Sequence, residues 1–326
     1  MKTIAVIAIQ SSVAVCGLSV APSIVWAQAD RCDQIRTSVE QAGFAKSVSV
    51  TCDGGNAIVL SDTYPDHDMM TGIVGTNEQV PVPAQYGALV RLEPELGNVP
   101  KTRDAALAVA VNGVPIYDYT GGGEMSEADL HHHQIKHDTL LTQQLDICGG
   151  HAGRGDDYHY HVKPTCMIET MENAGDDAII GWAFDGFPIY GDNNPDGSPI
   201  GDSALDICNG QADSVYGYRY HTSESAPYII QCLMGEALDF DRLPRVPPLK
   251  AAAGGPGPES GRPPRGGVEN LSFTSDQAGQ RRMQYSYKGD DFFIEYSDSD
   301  TPGCFDFVSR TVTNNGEIKS GEYCRN

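Results

Sequence analysis

The segment from Cys148 to Cys166 reads Cys-Gly-Gly-His-Ala-Gly-Arg-Gly-Asp-Asp-Tyr-His-Tyr-His-Val-Lys-Pro-Thr-Cys and concentrates the residues able to do chemistry. In Tyr158-His159-Tyr160-His161, aromatic and imidazole side chains alternate with a period of two. A β-strand would put the tyrosines on one face and both imidazoles on the other. Same-face neighbours on a strand lie roughly 7 Å apart, close enough for both rings to reach one metal ion or one small anion. His151 is a third candidate. Neutral imidazole suits zinc, copper or nickel, and three or four such ligands complete a site.

The elements that must position these groups occur twice. Asp146-Ile147-Cys148-Gly149-Gly150-His151-Ala152, continuing to Tyr158-His159-Tyr160-His161, recurs sixty residues later as Asp206-Ile207-Cys208-Asn209-Gly210-Gln211-Ala212, continuing to Tyr218-Arg219-Tyr220-His221. Upstream, Asn112-Gly113-Val114-Pro115-Ile116-Tyr117 recurs as Asp185-Gly186-Phe187-Pro188-Ile189-Tyr190. Each unit, spanning 107–166 and 180–232, joins a Gly-x-Pro-Ile-Tyr turn to a cysteine-bounded Tyr-x-Tyr-His strand. His161 is matched by His221, which suits a shared job. His159 is matched by Arg219 and His151 by Gln211, which suits a role confined to the first unit. If the halves face a common cleft across a pseudo-twofold axis, His151, His159, His161 and His221 converge there. Arg219 beside them would favour an anionic ligand, with Asp185 as a further substrate or anion contact. The mismatches argue against a symmetric two-metal site.

Weaker candidates lie outside these units or between their motifs. His67, in the turn Tyr64-Pro65-Asp66-His67, is a further candidate ligand. Ser126, Glu127 and Asp129 open an expected helix to Gln143 that carries His131, His132, His133 and His137. Only His133 and His137 lie one turn apart there, and the cluster reads as a solvated polar face. Asp192, Asn194 and Asp196 resemble the first half of a calcium loop, but Ser203 replaces the closing glutamate, and a plain turn fits these residues better. No Gly-x-Ser-x-Gly, His-Glu-x-x-His or phosphate-cradling glycine loop is present. Three function classes stand: a metal-binding domain, a metal-assisted or His/Asp hydrolase using Asp185 or Asp157, and a structural or cell-surface interaction module without metal.

Composition sets the setting. Lys2 followed by the apolar runs to Val25 reads as a secretory signal peptide over 1–29, cleaved after Ala27 or Ala29, which predicts a secreted or periplasmic protein. No later stretch is apolar enough to span a bilayer. The formal charge is −22, which argues against nucleic acid or an anionic membrane as partner and favours cations. Nine cysteines, less Cys16 of the leader, leave an even set that reads as a disulfide framework. Spacing favours Cys32 with Cys52, Cys148 with Cys166, Cys208 with Cys232, and Cys304 with Cys324, without excluding other pairings.

The combination of Asp-Ile-Cys-Gly-Gly-His-Ala, Tyr-His-Tyr-His and Ala-Phe-Asp-Gly-Phe-Pro-Ile-Tyr-Gly resembles the YHYH domain family of exported proteins. Tyr64-Pro65-Asp66-His67 and Gln79-Val80-Pro81-Val82-Pro83 look like it too, so the resemblance runs from about 61 to 235. It implies domain limits and brings no activity with it. The expected fold is β-rich (α+β), with a pseudo-duplicated central domain and short helices. A disulfide-linked helix and strand occupy 30–60, the YHYH-like domain 61–243, a disordered Pro/Gly-rich linker 244–267, and a small disulfide-stapled antiparallel β domain 268–326.

Overall fold

Every second residue of the N-terminal strands turns inward, half-buried in the first strand and buried in the next two. In this computed structural model the described residues are 24–75, 78–121, 125–153, 157–201, 204–237, 243–258 and 264–325. The expected leader lies outside them up to residue 23. Strands β1 (Ser49–Asp53), β2 (Asn56–Ser61) and β3 (Tyr86–Arg91) form an antiparallel sheet in that order. Helix α1 (Ile24–Gln41) is tied to β1 by the Cys32–Cys52 disulfide and reaches the central sheet where Trp182 Nε1 donates to Ser38 Oγ at 2.9 Å. A further strand, β4 (Leu96–Lys101), leads into the duplicated region.

The first half supplies β5 (Ala108–Ala110), β6 (Pro115–Ile116), β7 (Gly150–Ala152) and β8 (Tyr158–Tyr160). Helix α2 (Thr165–Thr170) follows, and the second half supplies β9 (Gly181–Ala183), β10 (Pro188–Tyr190), β11 (Gly210–Asp213) and β12 (Gly217–His221). All eight strands build one sheet in the order β11-β12-β10-β9-β5-β6-β8-β7. That order is a mirror about its centre. Strands β5 and β9 pair antiparallel with Val109 opposite Trp182. These two are equivalent positions of the repeat, so a local twofold axis passes between them. In each half the last strand runs parallel to the Pro-Ile strand, Ile116 beside Tyr160 and Ile189 beside Tyr220. The Tyr-x-Tyr-His strands therefore stand near opposite ends of the sheet. Five strand spacings separate them, about 24 Å at the usual spacing. The common cleft expected from the duplication does not form, because the halves join through β5 and β9.

Strand β13 (Leu233–Gly235) pairs with β4, and beyond it β14 (Lys250–Ala251), β15 (Glu269–Ser275), β16 (Arg281–Tyr287), β17 (Asp290–Asp298), β18 (Cys304–Arg310) and β19 (Ile318–Cys324) make a six-stranded antiparallel sheet. Lys288 and Gly289 both take positive φ (53° and 87°), which closes the tight β16–β17 hairpin. This sheet docks on the extended run at 78–83. Buried Glu78 accepts from the Tyr285 hydroxyl (3.0 Å) and Thr313 N (2.9 Å), and Arg325 donates to the Val82 and Pro83 carbonyls. Proline removes the N–H at 81 and 83, so the run offers carbonyls to a neighbour. The Pro/Gly-rich run expected to be disordered is partly docked: Val246 and Leu249 are buried, and Lys250–Ala251 adds an edge strand to β19.

All four disulfides join the nearest neighbours in sequence, at separations of 18 to 24 residues. The helix expected over 126–143 does not form. Only a 3-10 turn at Asp129–His131 appears, and polar side chains take the donors a helix would use. Asp129 Oδ2 accepts from Ser126 N, the Tyr119 hydroxyl accepts from Gln134 N, and fully buried Asp138 accepts from Leu141 N, His133 Nε2 and the Tyr228 hydroxyl.

Equivalent buried residues hold the two signature tyrosines. Asn112 Nδ2 donates to the Tyr160 hydroxyl at 3.0 Å, while the Tyr220 hydroxyl donates to Asp185 Oδ2 at 2.5 Å. Burial pushes the Asp185 carboxyl up to about 6, against the pull of the Tyr220 and Gly235 donors. The folded chain thus keeps this proton up to about pH 6, whereas the unfolded chain loses it near its ordinary value of about 4. Folding stability from this group rises as pH falls from 6 to 4, by up to about 1.4 kcal/mol per pH unit. The Asp185→Asn variant, which copies Asn112, should lose that slope in chemical denaturation measured across pH 4 to 7. An unchanged slope would show that Asp185 is ionised throughout.

Candidate metal centre

Two three-residue strands do not hold a hairpin by themselves, and a buried carboxylate closes this one. Asp146 Oδ1 accepts from Cys148 N (2.9 Å) and Gly150 N (3.1 Å), while Oδ2 accepts from Met70 N (2.8 Å) and the Tyr158 hydroxyl (2.8 Å). Burial pushes its carboxyl up and the four donors pull it back. Gly149 sits in the turn at φ +90°, where an added Cβ would also lie 2.6 Å from the Lys163 carbonyl. The Cys148–Cys166 disulfide ties the same turn to α2.

The hairpin sends its tyrosines and histidines to opposite faces, as the alternation predicts. Tyr158 and Tyr160 lie in the core, and His159 and His161 meet His151 of β7 on the other side. The three rings stand edge to face, with centroids 5.0, 4.9 and 4.8 Å apart. One nitrogen from each lies within 4.8 Å of the others. All three residues are buried, at 8, 4 and 2 % exposure for His151, His159 and His161. Tyr117 stacks on His159 at 4.0 Å.

Hydrogen bonds assign the tautomers. His161 Nδ1 donates to the Asp118 carbonyl, so its Nε2 is a bare lone pair, 3.1 Å from His151 Nε2. Two imidazole nitrogens bound tetrahedrally to zinc at about 2.0–2.1 Å stand roughly 3.3 Å apart, close to this separation. Without an ion, His151 Nε2–H must donate to His161. His151 Nδ1 is then a buried nitrogen without a hydrogen bond of ordinary length and angle, while the Gln144 backbone acts on the same ring as a hydrogen-bond acceptor. Burial pushes His151 down to about 3 and holds His161 well below the usual imidazole range, with the neighbouring rings acting in the same direction. Both stay neutral, as metal ligands must. Beside them, Asp157 Oδ2 lies 3.4 Å from His159 Nδ1. Burial would raise this carboxyl, but hydrogen bonds from His159 and its own backbone together with the nearby His159 and Arg325 hold it below its ordinary range.

The other expected site residues lie elsewhere. His67 sits on the tyrosine face of β8, where its Nε2 accepts from the Tyr160 hydroxyl at 2.6 Å and its Nδ1 donates to the Asp68 carbonyl. Cys148 and Cys166 are near it, but their sulfurs are spent in the disulfide and offer no thiolate. His221, Arg219 and Asp185 belong to the second half. There His221 Nε2 accepts from Gln211 Nε2 at 3.1 Å, and Arg219 pairs with Asp213 Oδ2 at 2.7 Å. The supposed calcium oxygens have separate partners: Lys163 and Thr222 on Asp192, Arg219 and Gln211 on Asn194, Ser198 on Asp196. That loop is an Asx-type turn. His131, His132 and His137 are exposed on their loop. Tyr117, Asp118 and Asp146 went unassigned in the sequence, although Tyr117 and Asp146 stand inside the repeated motifs.

A family model described as YHYH protein matches residues 89–200. The match takes in the histidine cluster and ends before Tyr218. No curated protein and no solved structure matches the chain.

Because Asp146 accepts from four donors, Asp146→Ala should cost at least about 3 kcal/mol in denaturant unfolding, each unpaired buried donor adding to the loss. A loss below about 1 kcal/mol would mean that the hairpin is held by its disulfide alone.

Proposed function

We propose that this YHYH-family protein is exported and binds one transition-metal ion, zinc or copper, through His151, His159 and His161. The observation that carries the reading is the convergence of one nitrogen from each of three buried imidazoles within 4.8 Å, with the His151 and His161 Nε2 atoms 3.1 Å apart, near the spacing of two ligands on one zinc ion. A structural role for these histidines would predict both nitrogens of each ring satisfied within the protein. The Asp118 carbonyl supports ligation by fixing the His161 tautomer, as outer partners of metal-bound histidine do. Four disulfides support an oxidising compartment, and among the described residues no helix is long and apolar enough to cross a membrane.

Three protein ligands would leave a fourth position, the arrangement of catalytic zinc, and Asp157 supplies a carboxylate beside His159. This favours metal-assisted hydrolysis as the second reading. The near-complete burial of all three rings favours retention of an ion over turnover of a substrate.

Elemental analysis of protein purified without an affinity tag should find about one equivalent of metal per chain, removable by a chelator. His159→Ala and His161→Ala should each reduce it to background while the protein stays folded. Unchanged stoichiometry in either variant would exclude the site.

A further inference from the structure

The two halves match residue for residue around their hairpins, so their differences can be read as a set. One position is constant. His161 Nδ1 donates to the Asp118 carbonyl and His221 Nδ1 to the Gly191 carbonyl, which are equivalent groups of the repeat. Each of these histidines keeps an unprotonated Nε2, 3.1 Å from the nitrogen of the residue across the hairpin, His151 in one half and Gln211 in the other.

Four neighbouring positions change together. His151 becomes Gln211, His159 becomes Arg219, Gly153 becomes Asp213, and Asp157 becomes Gly217. The carboxylate has crossed from one strand of the hairpin to the other. Each choice fits its neighbour. A Cβ at 153 would lie 2.6 Å from His159 Cε1, so the imidazole requires glycine there. In the second half Asp213 Oδ2 reaches Arg219 Nη1 at 2.7 Å, and Gly217 presents its carbonyl to the same nitrogen at 3.1 Å. Arg219 Nη2 donates to Asn194 Oδ1 at 2.7 Å, and the same oxygen accepts from Gln211 Nε2 at 2.7 Å. Arg219 is 1 % exposed, and its guanidinium stands 5.2 Å from the centre of the Tyr216 ring. A cation buried this deeply persists only when it is paired.

We infer that the second half is the same metal site with its ion replaced by the Arg219 guanidinium. A covalently held cation gathers Asn194, Asp213 and the Gly217 carbonyl, with Gln211 joined to it through Asn194, where, in the first half, an external ion gathers three imidazoles. The planar fork of arginine suits this job, because it offers several fixed donors at once. The second hairpin thereby holds its own cation without metal, with only the Arg219 Nε of that guanidinium lacking a hydrogen-bond partner, and the chain takes one ion and never two. The loop that resembled a calcium site supplies, through Asn194, an acceptor for this internal cation. The inference rests on the metal reading of His151, His159 and His161.

The test combines Gln211→His, Asp213→Gly and Arg219→His, loads the purified chain with zinc, removes free ion by desalting, and measures zinc per chain beside the unaltered protein. The expected result is one equivalent in the unaltered protein and two in the triple variant, falling back to one when His221→Ala is added. A folded triple variant that holds one equivalent overturns the inference and leaves the first site standing. An unaltered protein that holds none overturns the metal reading beneath it. Arg219→Ala, made in parallel, gives a readout that does not depend on folding of the triple variant. It should lower Tm by several degrees, and millimolar guanidinium chloride, unlike sodium chloride, should restore part of the shift. Failure of guanidinium to restore any of it also overturns the inference.

Discussion

The buried carboxylate of Asp146 is the constraint on which the histidine cluster depends. Its four accepted hydrogen bonds join the 148–150 turn, the Tyr158 side chain and the loop at Met70 into one unit. The strands it joins are three residues long, too short to define their own register. With the turn held, His151 and His159 must face each other across the hairpin, and His161 follows one residue beyond β8. Asp206 repeats the arrangement with Cys208, Gly210 and Tyr218 at nearly the same distances, which makes this carboxylate part of the repeated fold and not part of the chemistry.

Duplication here separates the sites. Because the halves meet through β5 and β9, each Tyr-x-Tyr-His strand is carried toward its own end of the sheet. Each half is then free to develop its own polar cluster behind the same tyrosine core. On the core side the halves remain nearly interchangeable, with Asn112 and Asp185 both meeting a tyrosine hydroxyl. On the opposite side one half has three imidazoles and the other a guanidinium held by a carboxylate. The physical logic is common to both: a buried polar cluster needs a positive charge or complete hydrogen bonding to be stable.

Much of this was legible in the residues. Strict alternation placed the tyrosines and histidines on opposite faces, and self-comparison found the duplicated units that the mirror-ordered sheet displays. Local spacing also anticipated the four disulfides, since each closes a short loop. The order of the strands was not legible, because the β5–β9 pairing joins residues more than seventy positions apart and nothing local encodes it. That gap is why His221 and Arg219 were expected beside His159. His67 was misplaced for a related reason: a loop histidine carries no signal of the sheet face on which it packs. The 126–143 segment had helix-start residues, but those same residues bond to nearby backbone and side chains, and Asp138 draws in donors from distant chain.

The central claim is that one ion sits among His151, His159 and His161. Crystals of the protein soaked in zinc, with data collected on either side of the zinc absorption edge, test it most directly. The account predicts an anomalous difference peak at bonding distance, about 2.0–2.1 Å, from one nitrogen of each of the three rings, and no peak at Gln211, Arg219 and His221. Fully occupied zinc elsewhere in the chain, with none among these three histidines, would contradict it.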